Sequence, residues 1–235
     1  MRRIFPTPSS EISVHEAYGV TRSRIQTSAG SRPASRPASR PTIGLCMVMS
    51  LDGSTVVEGN SRTLSGDADR SILVGLRALA DVIVVGSSTV RIDDYGPPSR
   101  KDLRVGVVSR TGKLDLTTPL FTSGAGFLII PEDAPEPSNP AVTCIRAGKG
   151  SVDFASAMNQ LEGTFIQLEG GPGLNASMAQ ADLIDEINLT ISPNIAANNE
   201  PRLLSEASAI LKRFTLSHIL EEDGFLFLRY TRYRN

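Results

Sequence analysis

The chain has 235 residues, enough for one large α/β domain or two small ones, and 40% of them are hydrophobic. Its 24 basic and 25 acidic residues give a net charge of −1, which provides no general attraction to nucleic acid or to an anionic membrane. No apolar stretch approaches the ~20 residues that cross a bilayer. We therefore expect a cytoplasmic protein that binds neither nucleic acid nor a membrane. Two cysteines and two histidines form no metal-binding spacing, and no metal site is predicted.

The first 41 residues differ in composition from the rest of the chain. Residues 11–18 are compatible with one short helix, and residues 31–41 repeat Ser-Arg-Pro-Ala, in which the proline density excludes helix and interior strand. We interpret residues 1–41 as an N-terminal extension with a Ser/Arg/Pro-rich, solvated linker. The alternative is that the arginines of this linker approach a phosphate. Residues 42–235 are interpreted as one domain.

Strand-like and helix-like segments alternate from residue 43 onward. Short unbroken apolar runs predict buried strands, whereas apolar residues at helical spacing predict helices. The predicted strands are residues 43–49, 82–85, 103–108, 127–130, 142–145, 164–168, 186–191 and 225–233. The predicted helices are residues 67–80, 154–161 and 174–183. This alternation predicts an α/β fold with three α/β/α layers, a mostly parallel central sheet and an antiparallel C-terminal strand.

A glycine-rich turn separates the strand 164–168 from the helix 174–183. It reads Glu169-Gly170-Gly171-Pro172-Gly173-Leu174-Asn175. Glycines let a backbone approach a ligand closely, and the N–H groups and dipole of a helix start favour an anion. The turn fits G-x-G-x-x-A in form, but its late position and the lack of an acid at the end of the next strand count against a Rossmann fold. We therefore expect a different dinucleotide or phosphate site; a turn without a ligand is the alternative.

Polar residues follow three other predicted strands. They are Ser50-Leu51-Asp52-Gly53, Gly86-Ser87-Ser88-Thr89 and Ser109-Arg110. In a parallel sheet these segments share the carboxyl edge, where α/β sheets bind ligands. A Ser-Arg pair can hold the 2′-phosphate that distinguishes NADPH from NADH. Each segment also has a structural interpretation: turn chemistry at Asp52, helix capping at 87–89 and a solvated Arg110.

In this order, the segments resemble the reductase domain of riboflavin biosynthesis, the C-terminal half of the bifunctional pyrimidine deaminase/reductase family. The resemblance covers about residues 42–233 and implies a dihydrofolate-reductase-like fold. The matching pieces are Met49-Ser50-Leu51-Asp52-Gly53, Ser61-Arg62-Thr63-Leu64-Ser65, Leu76-Arg77-Ala78, residues 83–94, Val108-Ser109 and Glu169-Gly170-Gly171-Pro172-Gly173-Leu174. It implies an NADPH-dependent oxidoreductase that reduces the ribosyl group of 5-amino-6-(5-phosphoribosylamino)uracil, or of its diaminopyrimidine relative, to a ribityl group by hydride transfer.

The resemblance also implies roles for individual residues. The cofactor-binding residues would be Val48, Thr89, Asp93, Ser109, Gly170, Gly171, Pro172, Gly173, Leu174 and Asn175. The substrate-binding residues would be Ser61, Arg77, Pro97, Arg100 and Glu169. Arg77 and Arg100 suit the 5′-phosphate, and Glu169 suits the donor edge of an aminopyrimidine. Asp52 is the catalytic candidate, as a proton relay or a group that orients the substrate; tying a turn through backbone N–H groups is its structural alternative.

Two departures from the family pattern limit what the resemblance implies about the activity. The zinc motifs of the deaminase half do not occur in the sequence, so deamination is not expected. Thr63 and Pro97 depart from the family pattern near the ligand region, so the pyrimidine or pteridine accepted is open. Alternatives are a reductase of another pterin or pyrimidine, such as dihydrofolate, and a non-catalytic nucleotide-binding protein. The resemblance further implies a homodimer that packs across the C-terminal strand 225–233.

Overall fold

The computed structural model describes residues 1–26, 39–205 and 208–233. Its strands are β1 (Arg2–Phe5), β2 (Ile25–Gln26), β3 (Ser39–Arg40), β4 (Thr42–Met49), β5 (Val82–Gly86), β6 (Arg104–Val108), β7 (Gly126–Ile130), β8 (Cys144–Arg146), β9 (Phe165–Leu168), β10 (Glu186–Ile191), β11 (Phe214–Glu222) and β12 (Phe225–Arg232). Its α-helices are α1 (Val14–Tyr18), α2 (Asp67–Leu79), α3 (Ser87–Ile92), α4 (Pro119–Thr122), α5 (Phe154–Asn159) and α6 (Pro172–Gln180). A short 3-10 helix spans Arg62–Leu64. Within these residues, no helix has the length and apolar character needed to cross a membrane.

The chain divides into two compact units, and the first contains residues 1–21, 43–79 and 167–235. Its strands follow the order β1-β11-β12-β10-β4. Pairing is antiparallel from β1 to β10 and parallel between β10 and β4. Buried side chains of α1 and α2 pack with those of β11 and β12 in one hydrophobic cluster, which includes Tyr18, Ile72, Leu76, Leu220 and Phe227. The N-terminal residues therefore belong to the core of this unit.

The second unit contains residues 22–42 and 80–166. Its strands β5, β6, β7 and β8 are neighbours in that order and pair in parallel. Every residue of β5 and β7 is buried, as expected for strands that read as continuous apolar runs. The strands β2 and β3 form a separate antiparallel ribbon. Arg24 fixes this ribbon, because its guanidinium donates to the carbonyl oxygens of Leu161 and Gly163 at 3.0 and 2.8 Å.

The α/β class, the parallel pairing and the antiparallel C-terminal strand predicted from the sequence are confirmed. The helix predicted at 174–183 begins earlier, because Pro172 occupies its first turn, where a fixed φ is favourable. The helix predicted at 11–18 is shorter and starts at Val14, after a capping box between Ser13 and Glu16. The strand predicted at 142–145 begins two residues later and ends one residue later, and β1 and β11 were not predicted.

The Ser/Arg/Pro-rich linker lies mostly outside the described residues. Its last residues are described, and Ser39 and Arg40 form β3 instead of a solvated loop. Arg40 is 3% exposed and donates through Nη1 to the carbonyl oxygen of Pro41. The domain boundary at residue 42 stays a prediction.

The sheet of the first unit carries apolar side chains on the face that is not covered by α1 and α2. One face carries apolar side chains that are only half-buried, and we call it the apolar face: Ile187, Leu189 and Ile191 of β10 with Tyr230, Leu228 and Leu226 of β12. The alternate positions, which include Asn188, Thr190 and Arg229, are buried. An antiparallel sheet with one wet face normally buries its apolar side chains and solvates its polar ones. The apolar face departs from that pattern on β10 and β12.

Polar side chains form a row across the buried face. His218 of β11 lies beside Arg229 of β12, and Arg229 lies beside Asn188 of β10. Arg229 Nη2 donates to Glu186 Oε2 at 2.7 Å, and the two side chains are 9% and 2% exposed. Tyr18 of α1 packs edge-on against His218, with ring centroids 4.6 Å apart. This helix therefore covers a buried charged cluster, and we call these five residues the polar row.

Acid is expected to weaken the fold through His218. Burial first, and then the charges of Arg229 and Arg3, lower the pKa of His218 from 6.5 to about 4, although Glu186 opposes the shift. The unfolded chain therefore takes up a proton near pH 6.5, whereas the folded chain resists it down to about pH 4. The stability contributed by neutral His218 is complete above this window and is lost as the pH falls through it, in all about 2–3 kcal/mol.

We expect His218→Gln to flatten that pH dependence of the unfolding free energy, measured by urea denaturation across the same window. His15 is the matched control, because it is exposed on α1 and His15→Gln should keep the wild-type profile. An unchanged slope in His218→Gln would contradict the assignment.

Candidate functional site

Asp52 lies in the turn that follows β4 in the first unit. Its Oδ1 accepts from Ser50 Oγ at 2.5 Å and from Ala196 N at 3.0 Å, and its Oδ2 accepts from Ala197 N at 2.9 Å. These hydrogen bonds, with that of Ser50 the largest, hold the pKa of the Asp52 carboxyl well below its usual range. Such a carboxylate is a poor proton donor near neutral pH. The geometry favours the turn-tying role that the sequence left open beside catalysis, and the catalytic role stays a prediction.

Arg77 and Glu169 form a bidentate ion pair in the first unit. Arg77 Nε donates to Glu169 Oε1 and Arg77 Nη2 to Glu169 Oε2, both at 2.7 Å. Glu169 is 6% exposed and Arg77 26% exposed. Gln167 Nε2 donates a further hydrogen bond to Glu169 Oε1 at 2.9 Å. The sequence predicted separate roles for Arg77 and Glu169, whereas the structure joins them, so that each side chain fixes the direction of the other.

The glycine-rich turn leads into the nine-residue helix α6. Gly170 has a φ of 79°, and a Cβ there would lie 2.9 Å from Met47 Sδ, so that glycine is required. The Gly170–Gly171 peptide is cis, Gly171 is the N-cap residue and Pro172 follows it. A Cβ on Gly173 would meet no described atom within 4 Å, so packing does not demand glycine there. The first turn of α6 is thus open to close approach, and its N–H groups favour an anion.

Other predicted residues of the first unit have mainly structural surroundings. Leu174 and Asn175 are buried in α6, and Asn175 Nδ2 donates to the Leu203 carbonyl oxygen at 3.1 Å. Both therefore hold α6 in place. Val48 is buried in β4, and Ser61 is the half-buried N-cap residue of the 3-10 helix. The ligand roles of these four residues stay predictions.

In the second unit, β5 runs directly into α3 through Gly86. This glycine is the N-cap residue, and no side chain caps the helix, so capping does not explain the hydroxyls at 87–89. Thr89 is half-buried, and its carbonyl oxygen accepts from Asp93 N at the end of α3. One backbone hydrogen bond therefore joins the two predicted cofactor residues. Thr89 lies inside the six-residue helix α3, and Asp93 is its C-cap residue.

The loop after α3 carries the predicted substrate residues Pro97 and Arg100. Pro97 is exposed. Arg100 donates through Nη2 to the Ala80 carbonyl oxygen, and its Nε lies 3.1 Å from Asp102 Oδ1. These contacts anchor the guanidinium of Arg100, and its contact with a phosphate stays a prediction.

Ser109 and Arg110 follow β6, beside an open cavity of about 370 Å³ in the second unit. The cavity is lined by Arg110, Thr111, Lys113, Asp133, Ala134, Pro135 and Gly150. Ser109 is 4% exposed, and its Oγ accepts from Gly112 N at 3.0 Å, which tightens the turn that presents Arg110. Arg146 donates to the carbonyl oxygen of Ala134, one of the lining residues, at 2.8 Å. Two cations beside apolar surface suit a phosphorylated nucleoside.

Sequence reasoning missed several residues of this arrangement. Gln167 precedes Glu169 by two positions on an extended segment, a spacing that places both on one face and could have suggested their contact. Lys113 follows Arg110 by three positions in a turn. Residues 193–205, which contact the Asp52 turn, show no hydrophobic periodicity and no motif that would have predicted their contacts.

Comparison with known proteins places this geometry in a family. Residues 41–223 match the family described as RibD C-terminal domain. The chain is 30% identical over 206 residues to the 2,5-diamino-6-ribosylamino-4(3H)-pyrimidinone 5′-phosphate reductase of Methanothermobacter thermautotrophicus, covering 78% of this chain and 94% of that protein.

Solved structures show the same fold. A pyrimidine reductase-like protein from Corynebacterium diphtheriae is similar with a TM-score of 0.74 at 21% identity, over 95% of this chain and all of the other. The riboflavin biosynthesis reductase Rib7 of Saccharomyces cerevisiae gives 0.66 at 16% identity, over 83% and 90% of the two chains. The resemblance found in the sequence motifs is confirmed, and the chain belongs to the RibD C-terminal domain family.

Proposed function

We propose that this protein reduces the ribosyl group of a ribosylaminopyrimidine 5′-phosphate to a ribityl group, with NADPH as the hydride donor. The observation that carries the proposal is the Arg77–Glu169 pair, whose two 2.7 Å hydrogen bonds fix a carboxylate for an aminopyrimidine. The relative from M. thermautotrophicus is named as a reductase of this type of compound. The cytoplasmic location predicted from the sequence belongs to the same proposal.

The nicotinamide cofactor supplies the hydride when it is bound, and the protein has to bind and orient the reactants. The first turn of α6 fits the pyrophosphate, because its N–H groups are not capped by a side chain and Gly173 leaves the approach open. A carboxylate such as that of Glu169 accepts hydrogen bonds from ring amino groups, and Arg77 keeps it oriented. Positioning of this kind accounts for much of the acceleration when the chemistry belongs to the cofactor.

The choice of NADPH over NADH rests on the cavity of the second unit. Arg110 and Lys113 line it together with the hydroxyl of Thr111, which suits the 2′-phosphate of the adenosine. We expect Arg110→Ala to raise KM for NADPH by about 10–100-fold and to leave KM for NADH nearly unchanged, because a charge-assisted hydrogen bond contributes about 1.5–3 kcal/mol.

Steady-state kinetics with both cofactors measure this effect. The control is Lys101→Ala, which removes an exposed cation of the loop before β6 and should leave both values at wild type. An equal loss with NADPH and NADH would contradict recognition of the 2′-phosphate by Arg110.

The function itself is tested by following the absorbance of NADPH with candidate substrates. The substrates are 5-amino-6-(5-phosphoribosylamino)uracil and its diamino relative, with dihydrofolate as the comparison. We expect saturable oxidation of NADPH with one of the two ribosylaminopyrimidines and a ribityl product by mass spectrometry. Oxidation with dihydrofolate alone, or NADPH binding without oxidation in any case, would overturn the proposal.

We also propose that the protein is a homodimer that buries the apolar face. Half-buried pairs such as Leu189–Leu228 cross from β10 to β12, while the alternate polar positions are already buried. A second copy supplies the same apolar surface, which makes the contact self-complementary. Light scattering should give about twice the chain mass of 25.1 kDa, and Leu189→Arg should give the monomer. A wild-type protein with the monomer mass at micromolar concentration would refute the dimer.

A further inference from the structure

A long irregular segment follows β10 in the first unit. Residues 193–205, which we call the strap, contain no helix or strand. Connections of this length without regular structure are uncommon in compact domains and often serve a function. The strap is nevertheless tied down by hydrogen bonds at both ends, so its path is fixed by specific contacts.

The first end of the strap is held by the Asp52 carboxylate. Its two oxygens accept from the backbone N–H groups of Ala196 and Ala197 at 3.0 and 2.9 Å. Ala197 has a φ of 50°, a left-handed conformation that is unfavourable in a residue with a Cβ. In the same region Leu51 N donates to the Asn194 carbonyl oxygen at 2.8 Å. The charged acceptor offsets the cost of this conformation, because hydrogen bonds to an ionised group are the strong ones.

Side chains of the strap reach back to the same turn. Arg202 Nη1 donates to the Asp52 carbonyl oxygen at 2.9 Å, and Arg202 Nη2 donates to the Asn198 carbonyl oxygen at 3.2 Å. Asn198 Nδ2 donates to the Val56 carbonyl oxygen at 3.0 Å. The Thr55 hydroxyl donates to the Pro201 carbonyl oxygen at 2.8 Å. The strap and the residues 50–56 thus form one hydrogen-bonded body.

The other end of the strap is attached to the start of α6. Asn175, which is fully buried, donates through Nδ2 to the Leu203 carbonyl oxygen at 3.1 Å. Ser205 N donates to the Pro172 carbonyl oxygen at 3.3 Å. Pro172 opens the helix whose first turn we assign to the pyrophosphate. The strap therefore connects the Asp52 turn to the glycine-rich helix start through a series of hydrogen bonds.

We infer that the strap sets the position of the Asp52 turn relative to the start of α6, and that Asp52 and Arg202 are positioning residues for hydride transfer. The catalytic part of this inference rests on the proposed function, whereas the attachment itself does not. Asp52 then acts through Ala196 and Ala197 and not as a proton relay. The turn follows β4, whose Val48 is expected near the nicotinamide, so a displaced turn misaligns the reactants.

The test combines hydrogen exchange with single-turnover kinetics. Asp52→Asn replaces one acceptor oxygen by a donor that faces a backbone N–H, and Arg202→Ala removes the contact to the Asp52 carbonyl oxygen. We expect both variants to exchange the amides of residues 193–205 about tenfold faster than wild type. We also expect a hydride-transfer rate about tenfold lower with NADPH affinity within twofold, and an unchanged pH profile in Asp52→Asn.

Two matched controls come from exposed positions of the first unit. Asp223→Asn changes the β11–β12 turn, where φ is 53° and asparagine is well tolerated, and Arg70→Ala changes the exposed side of α2. Both should keep wild-type exchange and rates. The double variant Asp52→Asn/Arg202→Ala should lose about as much rate as the worse single variant, because both act through one turn.

Three outcomes overturn the inference: unchanged exchange in both variants, faster exchange with an unchanged transfer rate, or loss of a limb of the pH profile in Asp52→Asn. The last result would assign Asp52 to proton transfer. If the wild-type protein binds NADPH but oxidises it with neither ribosylaminopyrimidine, the proposed function fails. The attachment of the strap is then decided by the exchange measurement alone.

Discussion

Replacing Arg77 by alanine is expected to lower kcat/KM by at least about 30-fold while NADPH affinity stays near wild type. Arg77 makes both hydrogen bonds of a bidentate pair with Glu169, which is 6% exposed. Removing one partner of a buried charge pair costs about 2–5 kcal/mol, much of it because the remaining charge is left without compensation. Glu169 would reorient, and the recognition of the substrate would be lost with it.

Steady-state kinetics on purified variants measure the effect, with thermal unfolding as the check that each variant folds. Arg70→Ala is the control, since Arg70 is exposed on the same helix and should keep wild-type kcat/KM. Arg77→Lys should recover only part of the loss, because an ammonium cannot reproduce the planar fork. An Arg77→Ala enzyme with wild-type kcat/KM would contradict the role of the pair.

Two possible roles of Arg77 are distinguished by comparing the phosphorylated substrate with the dephosphorylated one. If Arg77 contacts the 5′-phosphate directly, wild type and Arg77→Ala should be equally poor with the dephosphorylated substrate. If Arg77 acts by holding Glu169, the variant should be impaired with both substrates. Adding Glu169→Gln to Arg77→Ala should then cause little further loss. The observed ion pair leads us to expect the second result.

Much of the fold could be predicted from hydrophobic patterning, because buried parallel strands read as continuous apolar runs. β4, β5 and β7 were found in this way with nearly correct limits. β11 was missed for two physical reasons. Its pairing with β12 is interrupted by an irregularity between Leu216 and His218, which breaks the alternation of side chains. It also buries a histidine while Ile219 stays half-buried, so that polarity gives the wrong face.

The candidate site could be predicted residue by residue but not as a set of contacts. Asp52, Arg77 and Glu169 were all singled out by their motifs. Their partners were not, because Arg77 and Glu169 are 92 positions apart and Asp52 and Ala196 are 144 positions apart. A motif fixes the type of residue at a position, whereas the partner depends on the tertiary fold. The strap lacked even a motif, since its bonds are made largely by the backbone, which carries no sequence signal.

Replacing Arg229 by methionine is expected to lower the free energy of unfolding by about 3–5 kcal/mol. Glu186, its partner at 2.7 Å, is 2% exposed and would remain as a buried carboxylate without its cation. The polar row offers poor substitutes, since Asn188 Nδ2 already donates to Glu186 Oε1 and His218 is held neutral by burial. Urea or guanidinium denaturation measures the loss, provided that wild type and variant are compared at equal chain concentration.

Arg232 provides the control for this experiment. It binds Asp182 Oδ1 at 2.6 Å, but Asp182 is 44% exposed, so water can replace the lost partner. Arg232→Met should therefore cost about 1 kcal/mol or less. Equal losses in Arg229→Met and Arg232→Met would contradict the argument, because burial is the main difference between the two pairs.

The double variant Glu186→Leu/Arg229→Met separates the cost of an orphaned charge from the contribution of the pair. Two buried charges lose their hydration on folding, and well-packed apolar replacements are often as stable as the pair. We expect the double variant to regain most of the stability that Arg229→Met loses. If it does, the pair adds little net stability, and the polar row instead favours the correct pairing of β10, β11 and β12, since a register slip of one residue would expose His218 and Arg229 on the apolar face.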